Sequence, residues 1–481
     1  MTSPAPGWSH RVHAHGRSRP DELAIVTADE QWTWAELLGR TGGAADLIAR
    51  LGVPAGTAVP GLVEHVGTAS ALLLAGSSTG RPYAPLGARL TVAELAAVVT
   101  ALQTPVLLAE PQHLALARAV ADQAGAVRAV EVGPLPITAP ASPPEDDRVA
   151  GILHTSGTTG LPKPVALTEA RLAARVRSLD GITTMGPGDT HLAAAAFHHI
   201  AGLGNVVLGL GLGAAIASFP RFTVEAWLAL VPFGITHTLI VPSMIDSLLA
   251  AGALDAHPRL RLLIYGGGPI HLDTLREAMD TLTHGELLQL FGQTEGSPLT
   301  ALTPADHELA RTTHPDLLRS AGRAAPGVEL HLHEPDDAGV GEVWARGAHM
   351  SVVDDEGWVH TGDLARIDED GYVFLVGRAG DTINRGGENV RPLEVEQVLR
   401  THPSVADVAV AGIPDRRLGE KVAAFVVVAP GAAPDWEALH AHARELLAGF
   451  KVPEVWHAVD ELPRNAGGKV LRRVLVAELS Q

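Results

Sequence analysis

His154-Thr155-Ser156-Gly157-Thr158-Thr159-Gly160-Leu161-Pro162-Lys163 follows an apolar run, Val149 to Leu153, and so leaves a strand as a loop rich in glycine and hydroxyls. Glycines let backbone N–H groups converge on an anion, the hydroxyls of Thr155, Ser156, Thr158 and Thr159 add donors, and Lys163 supplies a point charge. This is an inventory for gripping a polyphosphate. The spacing is not that of the Gly-x-x-x-x-Gly-Lys-Ser/Thr loop. Residue types alone leave an ordinary Gly/Ser/Thr turn equally open.

On either side of this loop, strand-like and helix-like patterns alternate. Thr33-Trp34-Ala35-Glu36 and Thr91-Val92-Ala93-Glu94 have the Thr-x-x-Glu spacing of a capping box, each ahead of an Ala/Leu-rich helix. The short apolar runs Leu23 to Thr27, Val106 to Ala109, Leu239 to Val241 and Leu262 to Tyr265 read as strands. Alternation of this kind predicts a large layered α/β N-terminal domain with mostly parallel sheets. The Pro-rich stretch Pro134 to Pro144 reads as a subdomain connector. In the last hundred residues a helix opens at Pro392, strands are expected at Val405 to Ala411, Val422 to Val428 and Val455 to Val459, and a helix at Trp436 to Leu447. That is a small α+β C-terminal domain. The division expected is 1–379 and 380–481.

Composition narrows the chemistry. Hydrophobic residues make up 46% of the 481-residue chain, enough for a sizeable core, and there is no cysteine, which removes disulfides, thiolate catalysis, Cys-ligated zinc and iron–sulfur clusters. A formal charge of −18 disfavours nucleic acid and anionic membrane as partners. Ile200 to Phe219 contains no charged residue, but its Asn205 and five glycines read as a buried helix and turn rather than a membrane span. With no basic-then-apolar leader at the N-terminus, a cytoplasmic location is expected.

Further strings accompany the phosphate loop in a fixed order. They are Phe291-Gly292-Gln293-Thr294-Glu295, Thr361-Gly362-Asp363, Gly377-Arg378, Gly386-Gly387-Glu388-Asn389-Val390-Arg391-Pro392-Leu393-Glu394 and Leu462-Pro463-Arg464-Asn465-Ala466-Gly467-Gly468-Lys469. In this order and at these intervals the chain resembles the adenylate-forming superfamily, in its acyl- and aryl-CoA ligase branch, from Trp32-Thr33-Trp34 to Lys469. The resemblance implies an AMP-forming acid–thiol ligase with ATP, Mg²⁺ and coenzyme A as cofactors, serving fatty-acid or secondary metabolism. It implies that Thr155, Ser156, Gly157, Thr158, Thr159, Gly160 and Lys163 hold the β- and γ-phosphates. Phe291 and Gly292, with Gly267 and Gly268, would meet the adenine, and Asp363 the ribose, assisted by Arg378. Catalysis would fall to Lys469, Thr294, Glu295 and His199, with Glu295 the metal ligand. A mobile C-terminal domain would turn about a hinge at Gly380, bringing Gly386, Gly387 and Glu388 to the CoA side. Asp or Lys is commoner at that hinge, and Pro164 replaces a commoner glycine-containing continuation of the phosphate loop.

Phe197-His198-His199-Ile200-Ala201-Gly202 aligns with the Phe-His-x-x-Gly segment of the acyl and aryl ligases. Amino-acid-activating relatives carry an Asp just after that Phe, where His198 stands here, so a substrate with a free amine is not expected. The acyl pocket expected is His198, His199, Gly202, Val241, Ser243 and Gly266, suited to a hydrophobic or aryl carboxylic acid. The alternative for the histidine pair is packing or capping. The acyl acceptor is CoA or the phosphopantetheine of an acyl carrier protein, with an enzyme of only one half-reaction as a further alternative. Whether the chain acts as a homodimer is open.

Overall fold

The computed structural model describes residues 6–155, 162–464 and 470–479. Both capping boxes form. Thr33 accepts from the Glu36 amide at 3.2 Å while the Glu36 carboxylate accepts from the Thr33 amide at 2.8 Å, starting the helix Trp34–Arg50. Thr91 and Glu94 do the same for Val92–Ala101. Each such cap satisfies amides that the first helical turn would otherwise leave unpaired, and is worth about 1 kcal/mol.

The chain packs as two compact units, Met1–Glu329 with Arg346–Val359, and Leu330–Ala345 with His360–Gln481. The first holds a nine-stranded and a six-stranded sheet, both mainly parallel. The predicted runs appear as the strands Leu23–Val26, Val106–Ala109, His237–Ile240 and Leu262–Gly266, the last three buried along their whole length. Between the sheets lies a core that includes Trp8, Trp34 and Tyr83. The Pro-rich stretch is not a subdomain connector, because the strands before and after it, Arg128–Glu131 and Val149–Thr155, belong to one sheet. It lies instead on the helix Trp34–Arg50, where a Cβ at Gly42 would collide with the Ala139 carbonyl and one at Gly43 with that of Pro136.

The charge-free stretch from Ile200 becomes the helix Ile200–Leu212, buried from Gly202 onward, and then the strand Ala215–Ala217. A helix apolar on all sides belongs in an interior. Gly213, at φ 84°, ends it in the left-handed conformation, and Ala214 donates back to the Gly209 carbonyl at 2.9 Å. Among the described residues no helix is long and apolar enough to cross a membrane.

The second unit contains a four-stranded sheet ordered Val328–His333, Gly341–Gly347, Val359–Ile367, Val373–Arg378. A second sheet joins Glu388–Val390, Ile383–Arg385, Gly419–Val428 and Val405–Asp415, with Val455–Ala458 added to Gly419–Val428. The helices Pro392–Arg400 and Trp436–Leu446 place Val395, Leu399, Leu439 and Ala443 in its core with Val408, Val410 and Val426.

Candidate active site

Four neighbouring parallel strands of the large sheet end at one edge: Thr190–Ala193, His237–Ile240, Leu262–Gly266 and Glu286–Gln293. From them issue, in the same spatial order, Phe197 to His199, Val241 to Ser243, Gly266 to Gly268 and Phe291 to Glu295. The carboxyl edge of a parallel sheet is where α/β folds bind ligands, because loops there converge while the strands fix their origins. Residues scattered over a hundred positions are thereby brought to one edge.

Glycine is demanded at two of these places. A Cβ at Gly266 would run into the Leu290 carbonyl of the next strand, and Gly267 has φ +81° with Val241 Cγ1 only 3.6 Å from where its Cβ would be. The glycines therefore let the strand edge stay close-packed and the backbone bare. Gly202 is equally confined, since its Cβ would meet the Ala196 carbonyl. That confinement holds the start of the Ile200–Leu212 helix against the segment carrying the histidine pair.

His198 and His199 lie with ring centroids 4.1 Å apart. Burial, then the neighbouring His199 ring and Arg89, push the His198 pKa down to about 3. Burial lowers that of His199 as well. Both are therefore neutral at physiological pH. His199 Nε2 is buried with no hydrogen-bond partner among the described residues, so simple capping does not explain it, and the helix that follows has no side-chain cap from His199. Phe197 is 7% exposed and packs on Tyr83 at 6.4 Å, a core position. Ser243 is exposed, at the start of the helix Pro242–Ala250.

Thr294 and Glu295 occupy the turn between Glu286–Gln293 and the antiparallel strand Gly296–Leu302. Both are partly exposed, and among the described residues the Glu295 carboxylate has neither an ion pair nor a hydrogen bond. An anionic oxygen pair free of protein partners suits a hard cation such as Mg²⁺. The backbone of this turn is held, since the Ser351 amide donates to the Glu295 carbonyl at 2.6 Å and Ser351 Oγ to the Ala166 carbonyl at 3.1 Å. Ala166 lies on Lys163–Thr168, the strand that leaves the phosphate loop. The sequence offered no sign of Ser351, because it reaches the site from a segment more than fifty residues away.

The base of that loop is the antiparallel pair Val149–Thr155 and Lys163–Thr168, closed by Thr155 opposite Lys163. Ser156, Gly157, Thr158, Thr159 and Gly160 lie outside the described residues, as does Lys469. Lys163 is exposed. His154, at the loop's start, is held neutral by burial, with a pKa near 4 and an Nδ1 that has no hydrogen-bond partner among the described residues.

In the second unit Asp363 and Arg378 face each other across an antiparallel pair, joined by an Nε–Oδ1 contact of 3.1 Å. Arg378 also donates to the Thr361 carbonyl at 2.9 Å, which fixes the guanidinium behind the carboxylate. Gly386 and Gly387, at φ +64° and +93°, form a two-residue hairpin loop ahead of Glu388, a geometry that requires left-handed residues. Gly380 sits in the single turn Ala379–Asp381, and a Cβ there would meet nothing within 4 Å.

The chain matches the family described as AMP-binding enzyme over residues 12–352, and that described as AMP-binding enzyme C-terminal domain over residues 394–469. A fatty acid–[acyl-carrier-protein] ligase, ScoC, of Streptomyces coeruleorubidus is 31% identical over 96% of this chain and 94% of its own length. A feruloyl-CoA synthase of an Amycolatopsis species is 32% identical over 95% of this chain and 96% of its own. Among solved structures, ATP-bound MatB from Rhodopseudomonas palustris superposes with a TM-score of 0.88 at 28% identity, covering 99% of each chain.

Proposed function

The chain belongs to the AMP-binding enzyme family, and from that premise we propose that it activates a hydrophobic or aryl carboxylic acid as the acyl-adenylate and passes the acyl group to the thiol of CoA. The observation that carries the reading is the convergence of Gly266 to Gly268, Phe291 to Glu295 and the His198–His199 pair on one strand edge. Bare glycine backbone beside an aromatic ring suits a flat base, and the turn beyond it offers a hydroxyl and a carboxylate. The acyl side, His198, His199, Gly202, Val241 and Gly266, presents neutral imidazoles and apolar surface with no carboxylate for a substrate ammonium.

The first half-reaction joins two anions. The substrate carboxylate oxygen attacks the α-phosphorus of ATP, an acyl–phosphate bond forms, and pyrophosphate leaves with the bond to the β-phosphate broken. Repulsion between the reactants has to be offset before they approach, and fixed positive groups then stabilise charge on the α-phosphoryl oxygens. Lys469 bridges the two anions and Thr294 donates to the α-phosphate. Glu295 would hold Mg²⁺, whose contribution is to neutralise the polyphosphate. Asp363, backed by Arg378, accepts from the ribose hydroxyls. In the second half-reaction the thiol sulfur attacks the acyl carbonyl and AMP departs, with the 380–481 domain turned about Gly380 so that Gly386, Gly387 and Glu388 face the thiol.

The carrier-protein acceptor stays as the second reading, favoured by the full-length similarity to a ligase that loads an acyl carrier protein. Incubation with ATP, Mg²⁺ and a panel of acids, with CoA in one arm and a phosphopantetheinylated carrier protein in the other, separates the two. Acyl-CoA supports the first reading. Acyl-adenylate that turns over only with the carrier protein replaces it by the second.

A further inference from the structure

The helix Glu169–Thr183 carries Arg175 into the interior, where it is 6% exposed. Burial pulls its pKa down to about 10, and among the described residues no carboxylate lies within ion-pair distance of it. Nη1 donates to the Ser297 carbonyl, and Nε has no hydrogen-bond partner among the described residues. The guanidinium lies flat on the helix Ile200–Leu212 at Gly204, where a Cβ would stand 2.5 Å from Nη2 and 2.8 Å from Cζ. Glycine is thus what leaves room for it. A buried cation without a counter-charge is a costly arrangement that an apolar side chain of similar length would avoid.

What the guanidinium touches accounts for its presence. Ser297 follows Glu295 by two residues, on the strand leaving the Thr294–Glu295 turn. The next carbonyl, that of Pro298, accepts from His349 Nε2 at 2.8 Å, and the Glu295 carbonyl accepts from Ser351 at 2.6 Å. The 349–351 segment thus holds the turn through two carbonyls, and Arg175 holds it through a third. The helix under Arg175 begins directly after His199. One guanidinium is therefore wedged between the helix that leaves the acyl side and the turn that serves the nucleotide side.

We propose that Arg175 is a positioning residue that fixes the spacing between the Thr294–Glu295 turn and the helix leaving the His198–His199 pair. Its consequence for catalysis rests on the ligase reading, whereas its effect on the turn does not. The test uses the full chain with R175M, R175K and G204A, the last keeping the guanidinium but pushing it off its seat by one methyl group. Two readings are taken: hydrogen exchange of a peptide spanning 291–302, and steady-state acid-dependent ATP–pyrophosphate exchange with kcat and the KM for ATP separated. In R175M and G204A, exchange of the 291–302 amides quickens about fivefold or more and kcat falls about tenfold or more, with the KM for ATP within about threefold of wild type. R175K recovers most of both losses. Should R175M fail to fold, G204A carries the same two readings. Folded variants whose 291–302 amides exchange within about twofold of wild type overturn the proposal. Wild-type protein inactive with every acid would sink the ligase reading instead, and hydrogen exchange alone would then decide the role of Arg175.

Discussion

Around the candidate site of the first unit the side chains are neutral or unpaired, whereas the second unit is laced with ion pairs. His154, His198, His199 and His349 are all held below their ordinary pKa by burial, and the Glu295 carboxylate has no protein partner among the described residues. In the second unit Arg472 reaches Asp381 at 3.2 Å and Glu396 at 2.7 Å. Arg400 and Arg464 share Asp407, and Arg385 takes Glu454 at 2.7 Å. The difference follows from architecture. A parallel sheet covered on both faces desolvates whatever its loops present, and desolvation selects neutral groups or a charge left for a ligand. The first unit has ion pairs too, but Arg261–Asp189, for example, sits where the strands Leu262–Gly266 and Thr190–Ala193 begin, at the end opposite the site.

Acid should break this contrast most visibly. His13, His191, His257 and His349 are all buried in the first unit, with pKa values near 4, 3, 4 and 4. Because the folded values lie below the unfolded one of about 6.5, their full contribution is present above pH 6.5 and is lost as the pH falls toward 4. At pH 5 each costs about 2 kcal/mol. Hydrogen exchange at pH 7 and pH 5 should show the first unit losing protection, and equal loss in both units would contradict the assignment.

Lys469→Ala should slow acyl-adenylate formation on the order of 100- to 1,000-fold while leaving thioester formation from supplied acyl-adenylate within about threefold. Equal loss of both half-reactions would mean that the 380–481 domain does not change its part between them. Glu295→Gln should lower pyrophosphate exchange about 30- to 100-fold and raise the Mg²⁺ concentration needed for half-maximal rate. An unchanged Mg²⁺ dependence would remove Glu295 as the ligand. Smallest is salt: going from 0.05 to 0.5 M NaCl should weaken protection in the second unit by roughly 0.5 kcal/mol, as screening acts on its partly exposed pairs. A larger effect on the first unit would reverse the comparison.

The layered fold was legible because its signals are local. Thr33 with Glu36 and Thr91 with Glu94 announce helix starts within four residues, and runs such as Val106 to Ala109 admit no solvent-facing reading. The glycine-rich and Phe291-to-Glu295 strings were legible for the same reason. Contacts made across the chain left no such trace. Nothing in the sequence marks Arg175, whose neighbours Ser297 and Gly204 come from distant segments, and Pro134 to Pro144 reads as a subdomain connector although it lies on Gly39, Gly42 and Gly43. The histidine pair was found, but its neutrality depends on burial that no string of letters displays.

The central claim is tested most directly by mass spectrometry of the full chain with ATP, Mg²⁺, CoA and a panel of hydrophobic and aryl carboxylic acids. The account predicts AMP, pyrophosphate and one or a few acyl-CoA thioesters, formed in equal amounts and only when the matching acid is present. ATP converted to ADP, or left intact with every acid supplied, would contradict it.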